Sequence, residues 1–118
     1  MRRPPDLASL RAAWWANRAL IAARRALARG EVRGIELPVP PRLADSAIRG
    51  VDALLRRRQP SCLERALVRQ RWLAAHGEPH AIAIGVTSPS QGFAAHAWLV
   101  GEHDPQSAIF HELTRLEP

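Results

Sequence analysis

The stretch PSCLERALVRQRWLAAHG, residues 60–77, contains a well-marked helix start and the single cysteine of the chain. Ser61 and Glu64 fit the S-x-x-E capping box, in which each of the two side chains accepts a hydrogen bond from a backbone N–H at the helix start. Gly77 is expected to end the helix, because glycine readily adopts the left-handed backbone that terminates helices. The pattern therefore predicts a helix whose first residue is Cys62.

An earlier helix is predicted from Asp6 to about Ala28. Its periodicity comes from apolar side chains that recur at helical spacing, while the arginines lie mostly off that stripe. The stripe consists of Leu7, Leu10, Trp14 and Ile21. Gly30 is a plausible end of this helix. Trp14 and Trp15 are adjacent, so we expect that they do not both face the core and that one is exposed to a partner.

A glycine- and proline-rich segment separates this helix from a second one. Residues 30–42, GEVRGIELPVPPR, are expected to be extended and to cross to the next element. The second helix is predicted from about Leu43 to Arg58, and Pro60 limits it. Its apolar face is expected to comprise Ile48, Val51 and Leu55.

After Gly77 the hydrophobic period changes from that of a helix to that of a strand. Three strands are predicted, with loops over 87–92 and 101–107: HAIAIGV at 80–86, AAHAWLV at 94–100 and AIFHELTRL at 108–116. Helices followed by a small antiparallel sheet predict an α+β fold. We expect a single domain over 1–118, with N-terminal helices at 1–58 and the quoted helix plus the sheet at 60–116.

Composition limits the partners and the compartment. The chain has 118 residues and a formal net charge of +6, carried by arginine, which points to an acidic or phosphate-bearing partner or to a solvated face. We expect no nucleic acid partner, because the charge is spread over several elements and no groove-reading motif is present. A single cysteine and the lack of a long apolar run predict a cytoplasmic protein without a membrane partner.

Cys62 has the position of a nucleophile. A thiolate is the reactive form of cysteine, and backbone N–H groups at a helix start stabilise negative charge. The same N–H groups can stabilise an oxyanion on a substrate carbonyl. A free cysteine is also commonly a small buried hydrophobe, so position alone leaves both interpretations open.

His96 is the candidate base. It lies inside the predicted strand AHAWLV between Ala95 and Ala97, and Trp98 shares its face. A histidine in a strand is often a core residue bonded to a backbone carbonyl. A cysteine at a helix start together with a histidine on a following strand instead favours a thiolate–imidazolium couple.

A third residue usually orients the imidazole of such a couple. If the strands at 94–100 and 108–116 form a hairpin, His96 lies opposite Glu112, which makes Glu112 the geometric choice. Asp104 is the competitor, although a hairpin would place it at the loop tip, far from the imidazole. Glu112 could equally be a solvated strand residue, and Asp104 an Asp-Pro turn former.

Several motifs in this order resemble the transglutaminase-like peptidase domain of lasso peptide maturation protein B, and the chain length resembles its stand-alone form. The resemblance covers roughly residues 50–116 and rests on S-C-L-E-R-A-L-V, W-L-A-A-H-G, I-A-I-G-V, A-H-A-W-L and E-L-T-R. It implies a papain-like cysteine peptidase with Cys62 as nucleophile and His96 as base. The family's acid is typically an Asp about a dozen positions after the histidine, and that position is Ala108 here. Asp104, Glu112 or a dyad without an acid are the substitutes.

The resemblance also implies a substrate and partners. The substrate would be the leader of a ribosomally made precursor, removed before a separate cyclase closes the macrolactam. The implied partners are the precursor peptide and a small leader-recognition protein, with the lasso cyclase as a further candidate. No cofactor is implied.

The sequence raises three other possibilities, of which the first is a metal site. A metal site would draw on Cys62 with His80, His96, His103 and His111, but their spacings match no zinc pattern, so we expect no metal. The same cysteine–histidine arrangement also serves acyl transfer to an amine, as in transglutaminases. An assembly module that has lost activity is the third option, because the expected Asp is absent at Ala108.

Overall fold

The computed structural model describes residues 6–87, 90 and 94–118, and within them the protein is α+β, as predicted. The elements are α1 (Leu7–Ala28), α2 (Ile48–Arg58), α3 (Cys62–Ala75), β1 (Ile82–Val86), β2 (Ala95–Leu99) and β3 (His111–Leu116), with short 3₁₀ helices at Asp45–Ala47 and Ser107–Ile109. The predicted loop at 87–92 lies largely outside the described residues. Among the described helices, none is both long enough and apolar enough to cross a bilayer.

The buried face of α1 consists largely of alanine and differs from the apolar stripe seen in the sequence. Leu7, Leu10 and Trp14 are 73%, 52% and 67% exposed, so these three residues of the stripe do not contribute to the buried face. Trp15 is buried, which leaves Trp14 as the exposed tryptophan of the pair. The core positions are Ala12, Trp15, Ala16, Ala19, Leu20 and Ala23. Alanine side chains on this face allow a neighbouring helix to approach closely.

That neighbouring helix is α2, which meets α1 at Gly50. A Cβ atom added at Gly50 would lie 2.0 Å from the backbone oxygen of Ser9, so only glycine permits this contact. Val51 and Leu55 are fully buried beside it, as predicted. The helix begins at Ile48 rather than Leu43, because residues 45–47 form a 3₁₀ turn.

The helix α3 has the predicted caps and links the helices to the sheet. Ser61 accepts from the N–H of Glu64 at 3.1 Å, and Glu64 accepts from the N–H of Ser61 at 2.9 Å. Gly77 has the left-handed backbone that ends the helix, with φ at +84°. Trp72 is buried in the centre of the core. The buried amide of Gln70 donates to the carbonyls of His80 and Leu116, each at 2.9 Å, and so ties α3 to β3 and to the segment that precedes β1.

The strand order is β2-β1-β3, so the predicted hairpin between the second and third strands is wrong. β1, at the centre, has no charged side chain, whereas β3 at the edge carries Glu112 and Arg115 and leaves both exposed. Both outer strands are antiparallel to β1 and are therefore parallel to each other. Residues 100–110 must consequently return along the length of the sheet instead of forming a tight turn.

The two faces of the sheet differ. Ile82, Leu99 and Leu116 lie side by side across the three strands and are buried in the core. On the opposite face Gly85 pairs with His96 on one side and with Glu112 on the other. The connection 100–110 supplies Asp104 and Phe110, which contact His96.

Candidate active site

Cys62 is the first residue of α3 and is half-buried. The capping box orders the turn around it, and Glu64 of that box is also bound by Arg24 of α1 at 3.3 Å. Cys62 lines an open cavity of about 280 Å³ together with Arg65, Arg69, Trp98, Glu102 and Asp104. The cavity therefore combines residues of α3, of β2 and of the connection that follows β2.

The imidazole of His96 is held by two kinds of contact. Its Nε2 lies 2.8 Å from Oδ2 of Asp104. The indole of Trp98 stacks with it at a centroid distance of 5.8 Å, and the ring of Phe110 lies at 5.1 Å. Since Asp104 and Trp98 also line the cavity that Cys62 lines, the histidine contacts two of the cavity's walls.

Asp104 is positioned by its own loop. Its Oδ1 accepts from the N–H of Gln106 at 2.9 Å, and its backbone carbonyl accepts from the N–H of Ser107 at 3.1 Å. This is an aspartate-started β-turn with Pro105 in its second position. Burial raises the pKa of Asp104, but the hydrogen bonds from His96 and Gln106 outweigh burial, and the pKa is lowered. Asp104 is therefore a carboxylate at neutral pH.

Arg69 anchors the start of the connection to the helices. Its Nη1 lies 2.6 and 2.8 Å from the two carboxylate oxygens of Glu102, and its Nε lies 3.1 Å from Asp52 of α2. Burial lowers the pKa of Arg69, but the hydrogen bond to Glu102 and the charge of Asp52 outweigh burial and raise it. Arg69 therefore stays charged. Two residues after Glu102 the chain reaches Asp104.

His80 stabilises the turn between β2 and Glu102. Its Nδ1 lies 2.7 Å from the carbonyl of Val100. Gly101 follows with φ at +96°, and a Cβ atom there would be 3.3 Å from the His80 ring. The direction in which the chain leaves β2 is thus set before Glu102.

Glu112 does not contact His96, because β1 lies between them. The carboxylate of Glu112 bonds Arg115 at 2.7 Å and is exposed, and that bond lowers its pKa. The predicted pairing of Glu112 with the imidazole is therefore wrong, as is the predicted position of Asp104 far from it. The sequence interpretation missed Phe110 and Arg69. Neither follows a local motif, since both depend on where the connection 100–110 runs.

A small residue makes room for the rings beside His96. A Cβ atom at Gly85 would lie 3.0 Å from Cη2 of Trp98 and 2.8 Å from the carbonyl oxygen of His111. Glycine at this position lets the indole lie over β1. Within the described residues, no group of three or more His, Cys, Asp or Glu side chains could hold a metal ion.

The comparisons with known proteins give one match. A family model described as the transglutaminase-like superfamily matches residues 6–107. This range includes Cys62, His96 and Asp104 and ends before Glu112. No curated protein and no solved structure matches the chain.

Proposed function

Because the chain belongs to the transglutaminase-like superfamily, which includes cysteine peptidases and acyl transferases, we propose that it is a cysteine peptidase. Its proposed substrate is the precursor of a lasso peptide, from which it removes the leader before a separate cyclase closes the macrolactam. The observation that carries the peptidase proposal is the contact of His96 with Asp104 at the cavity that Cys62 lines. The sequence motifs that resemble the maturation peptidase support the choice of substrate.

The arrangement supports different roles for the two ring nitrogens of His96. Asp104 accepts from Nε2–H, which leaves Nδ1 as the nitrogen that takes the proton of the Cys62 thiol. The charge on Asp104 stabilises the imidazolium that results. The thiolate then attacks the carbonyl carbon at the leader junction.

The remaining steps follow from this attack. The carbonyl becomes a tetrahedral oxyanion, which the backbone N–H of Cys62 at the helix start stabilises. His96 returns its proton to the amine of the core peptide, so the C–N bond breaks and the core leaves with a new amino terminus. A water molecule that gives a proton to His96 then attacks the thioester, releasing the leader as an acid and restoring the thiol.

The exposed face of α1 supports a protein partner. Leu7, Leu10 and Trp14 lie at i, i+3 and i+7 and are largely exposed, and the guanidinium of Arg18 lies 5.1 Å from the Trp14 ring. A stripe of this kind is suited to binding an apolar segment of another chain. We assign it to the small leader-recognition protein, which would present the precursor. The site of action is the cytoplasm, where the precursor is made.

The proposal is tested with purified protein, a candidate precursor from the neighbouring genes and the small partner, analysed by mass spectrometry. Leader release should be abolished by Cys62→Ala and by a thiol alkylator. His96→Ala should lower it at least a hundredfold, as expected for loss of a general base. The matched control is His111→Ala, because His111 is exposed on β3. Undiminished leader release by Cys62→Ala would contradict the proposal.

Acyl transfer is the second candidate, because the superfamily includes acyl transferases. The same reaction mixture separates the two, since a peptidase yields the free leader acid, whereas an acyl transferase adds an amine probe to the acyl group. The option of an inactive assembly module rested on Ala108 replacing the expected Asp. The contact of Asp104 with His96 supports an active enzyme over that module.

A further inference from the structure

The cavity beside Cys62 contains one cationic side chain without a partner. Four charged residues line the cavity, and their formal charges cancel: Arg65, Arg69, Glu102 and Asp104. Three of them are engaged, because Arg69 binds Glu102 and Asp104 binds His96. Within the described part of the chain, the guanidinium of Arg65 has no hydrogen bond or ion pair, and its side chain is exposed. A free guanidinium is suited to a planar carboxylate.

Arg65 lies on the same side of α3 as Cys62. The two residues are three positions apart, which places their Cβ atoms about 5–6 Å from each other on one face. Trp98 and Leu99 supply apolar wall to the same cavity. A side chain that combines methylene groups with a terminal carboxylate matches these walls together with the guanidinium.

We propose that this cavity is an anion subsite in which Arg65 binds a substrate carboxylate next to the carbonyl that Cys62 attacks. The ligand class is an acyl donor with an acidic side chain beside the reacting carbonyl, and a basic side chain there is disfavoured by Arg65. This inference rests on the proposed role of Cys62 as the nucleophile. It adds to that role a preference that the cysteine and histidine alone do not provide.

The test compares two alkylating reagents, iodoacetate and iodoacetamide, on the full chain at pH 8. They share the iodomethyl group and differ in charge, so the ratio of their rates does not depend on the thiolate fraction. Cys62 is the only cysteine, and each adduct is therefore read directly from the intact mass. Arg65→Gln should lower the iodoacetate-to-iodoacetamide ratio about three- to fourfold, from the charge interaction at about 5–6 Å in water. Arg65→Glu should lower the ratio further.

Two variants serve as controls for this ratio. Arg11→Gln makes the same charge change on α1, outside the cavity, and should leave the ratio within experimental error. His103→Gln removes the neighbouring imidazole that also lines the cavity, and it should lower the ratio less than Arg65→Gln does. The wild-type ratio should fall with added salt, because salt screens exposed charges.

The outcomes are separable from those of the peptidase proposal. An equal ratio for wild type and Arg65→Gln would overturn the anion subsite, and so would a failure of both reagents to reach Cys62. A fall that occurs in His103→Gln but not in Arg65→Gln would also overturn it. Undiminished leader release by Cys62→Ala would overturn the peptidase and leave the measured ratio as it is.

Discussion

Replacing Asp104 with asparagine should move the proton of His96 to its other ring nitrogen. In the wild type, Oδ1 of Asp104 accepts from the N–H of Gln106 at 2.9 Å, and Oδ2 lies 2.8 Å from Nε2 of His96. Asparagine has only one side-chain oxygen, and that oxygen is expected to keep the hydrogen bond from the N–H of Gln106. The amide NH₂ then faces Nε2, which must accept, so the ring proton moves to Nδ1. That is the nitrogen proposed to take the Cys62 proton.

The lost charge of Asp104 determines how far leader release should fall in the Asp104→Asn variant. At 2.8 Å the Coulomb attraction between the carboxylate and an imidazolium is about 1.5 kcal/mol in water and about 6 kcal/mol at an effective dielectric constant of 20. The side chains of His96 and Asp104 are 16% and 23% exposed, so solvent partly screens the pair. The expected loss of attraction therefore lies in the lower half of this energy range. Leader release should therefore fall about ten- to several-hundredfold. Folding should lose only about 1–2 kcal/mol, because the bond to Gln106 is kept.

The assay measures kcat/KM for leader release by mass spectrometry, with the recognition partner present. Long-range ¹H–¹⁵N NMR of the imidazole reports the tautomer without relying on activity. The matched control is Glu112→Gln, which makes the same charge change on an exposed residue paired with Arg115 and should change kcat/KM less than twofold. Activity of Asp104→Asn within threefold of wild type, or an unchanged tautomer, would refute the reasoning.

Three further perturbations test the fold and the ionisation of the site. Ser61→Ala removes the acceptor for the N–H of Glu64, 3.1 Å away, and should cost about 1 kcal/mol in a thermal melt; an unchanged Tm would contradict the role of the cap. Gly50→Ala places a Cβ atom 2.0 Å from the oxygen of Ser9 and should cost at least about 1–3 kcal/mol; an unaltered urea midpoint would argue against the close helix contact. The pKa of Asp104 is lowered from 3.8, so its contribution to stability is complete above about pH 4 and is lost as the pH falls through the lowered value. The stability difference between wild type and Asp104→Asn should therefore shrink from pH 5 to pH 2, and a constant difference would contradict the assigned direction.

The helix ends were predictable because their signals are local. Ser61, Glu64 and Gly77 act within one turn of the backbone they cap, and α3 spans Cys62–Ala75 as a result. The buried face of α1 was not predictable in the same way. Hydrophobicity alone favours Leu7 and Leu10 over alanine for the buried face of α1. Close packing against Gly50 of α2 instead requires small residues. Only the position of α2 determines which of the two requirements applies.

The arrangement of the sheet explains why the sequence singled out Cys62 and His96 but left the acid open between Asp104 and Glu112. A helix start and an alternating strand are visible in the residues themselves, but alternation does not specify strand order. A hairpin is the shortest connection between two strands, so it was the default, and it brought His96 to Glu112. The order β2-β1-β3 replaces the hairpin with a connection that returns over the sheet.

That return also brings Asp104, the proposed acid, to His96, although Asp104 lies nearer to the histidine in sequence than the acid that the resemblance implies. The residue a dozen positions after His96 is Ala108, at which the connection has already entered the 3₁₀ turn Ser107–Ile109. Asp104 is eight positions after His96 and reaches the imidazole because Arg69 holds Glu102 and the Asp-Pro turn directs the carboxylate. When a connection crosses a sheet, its path decides which of its residues contacts a given histidine. The spacing between the two residues in the sequence is not fixed. The position of the proposed acid along the chain can therefore differ from the one that the resemblance implies, provided that the connection is anchored at its start.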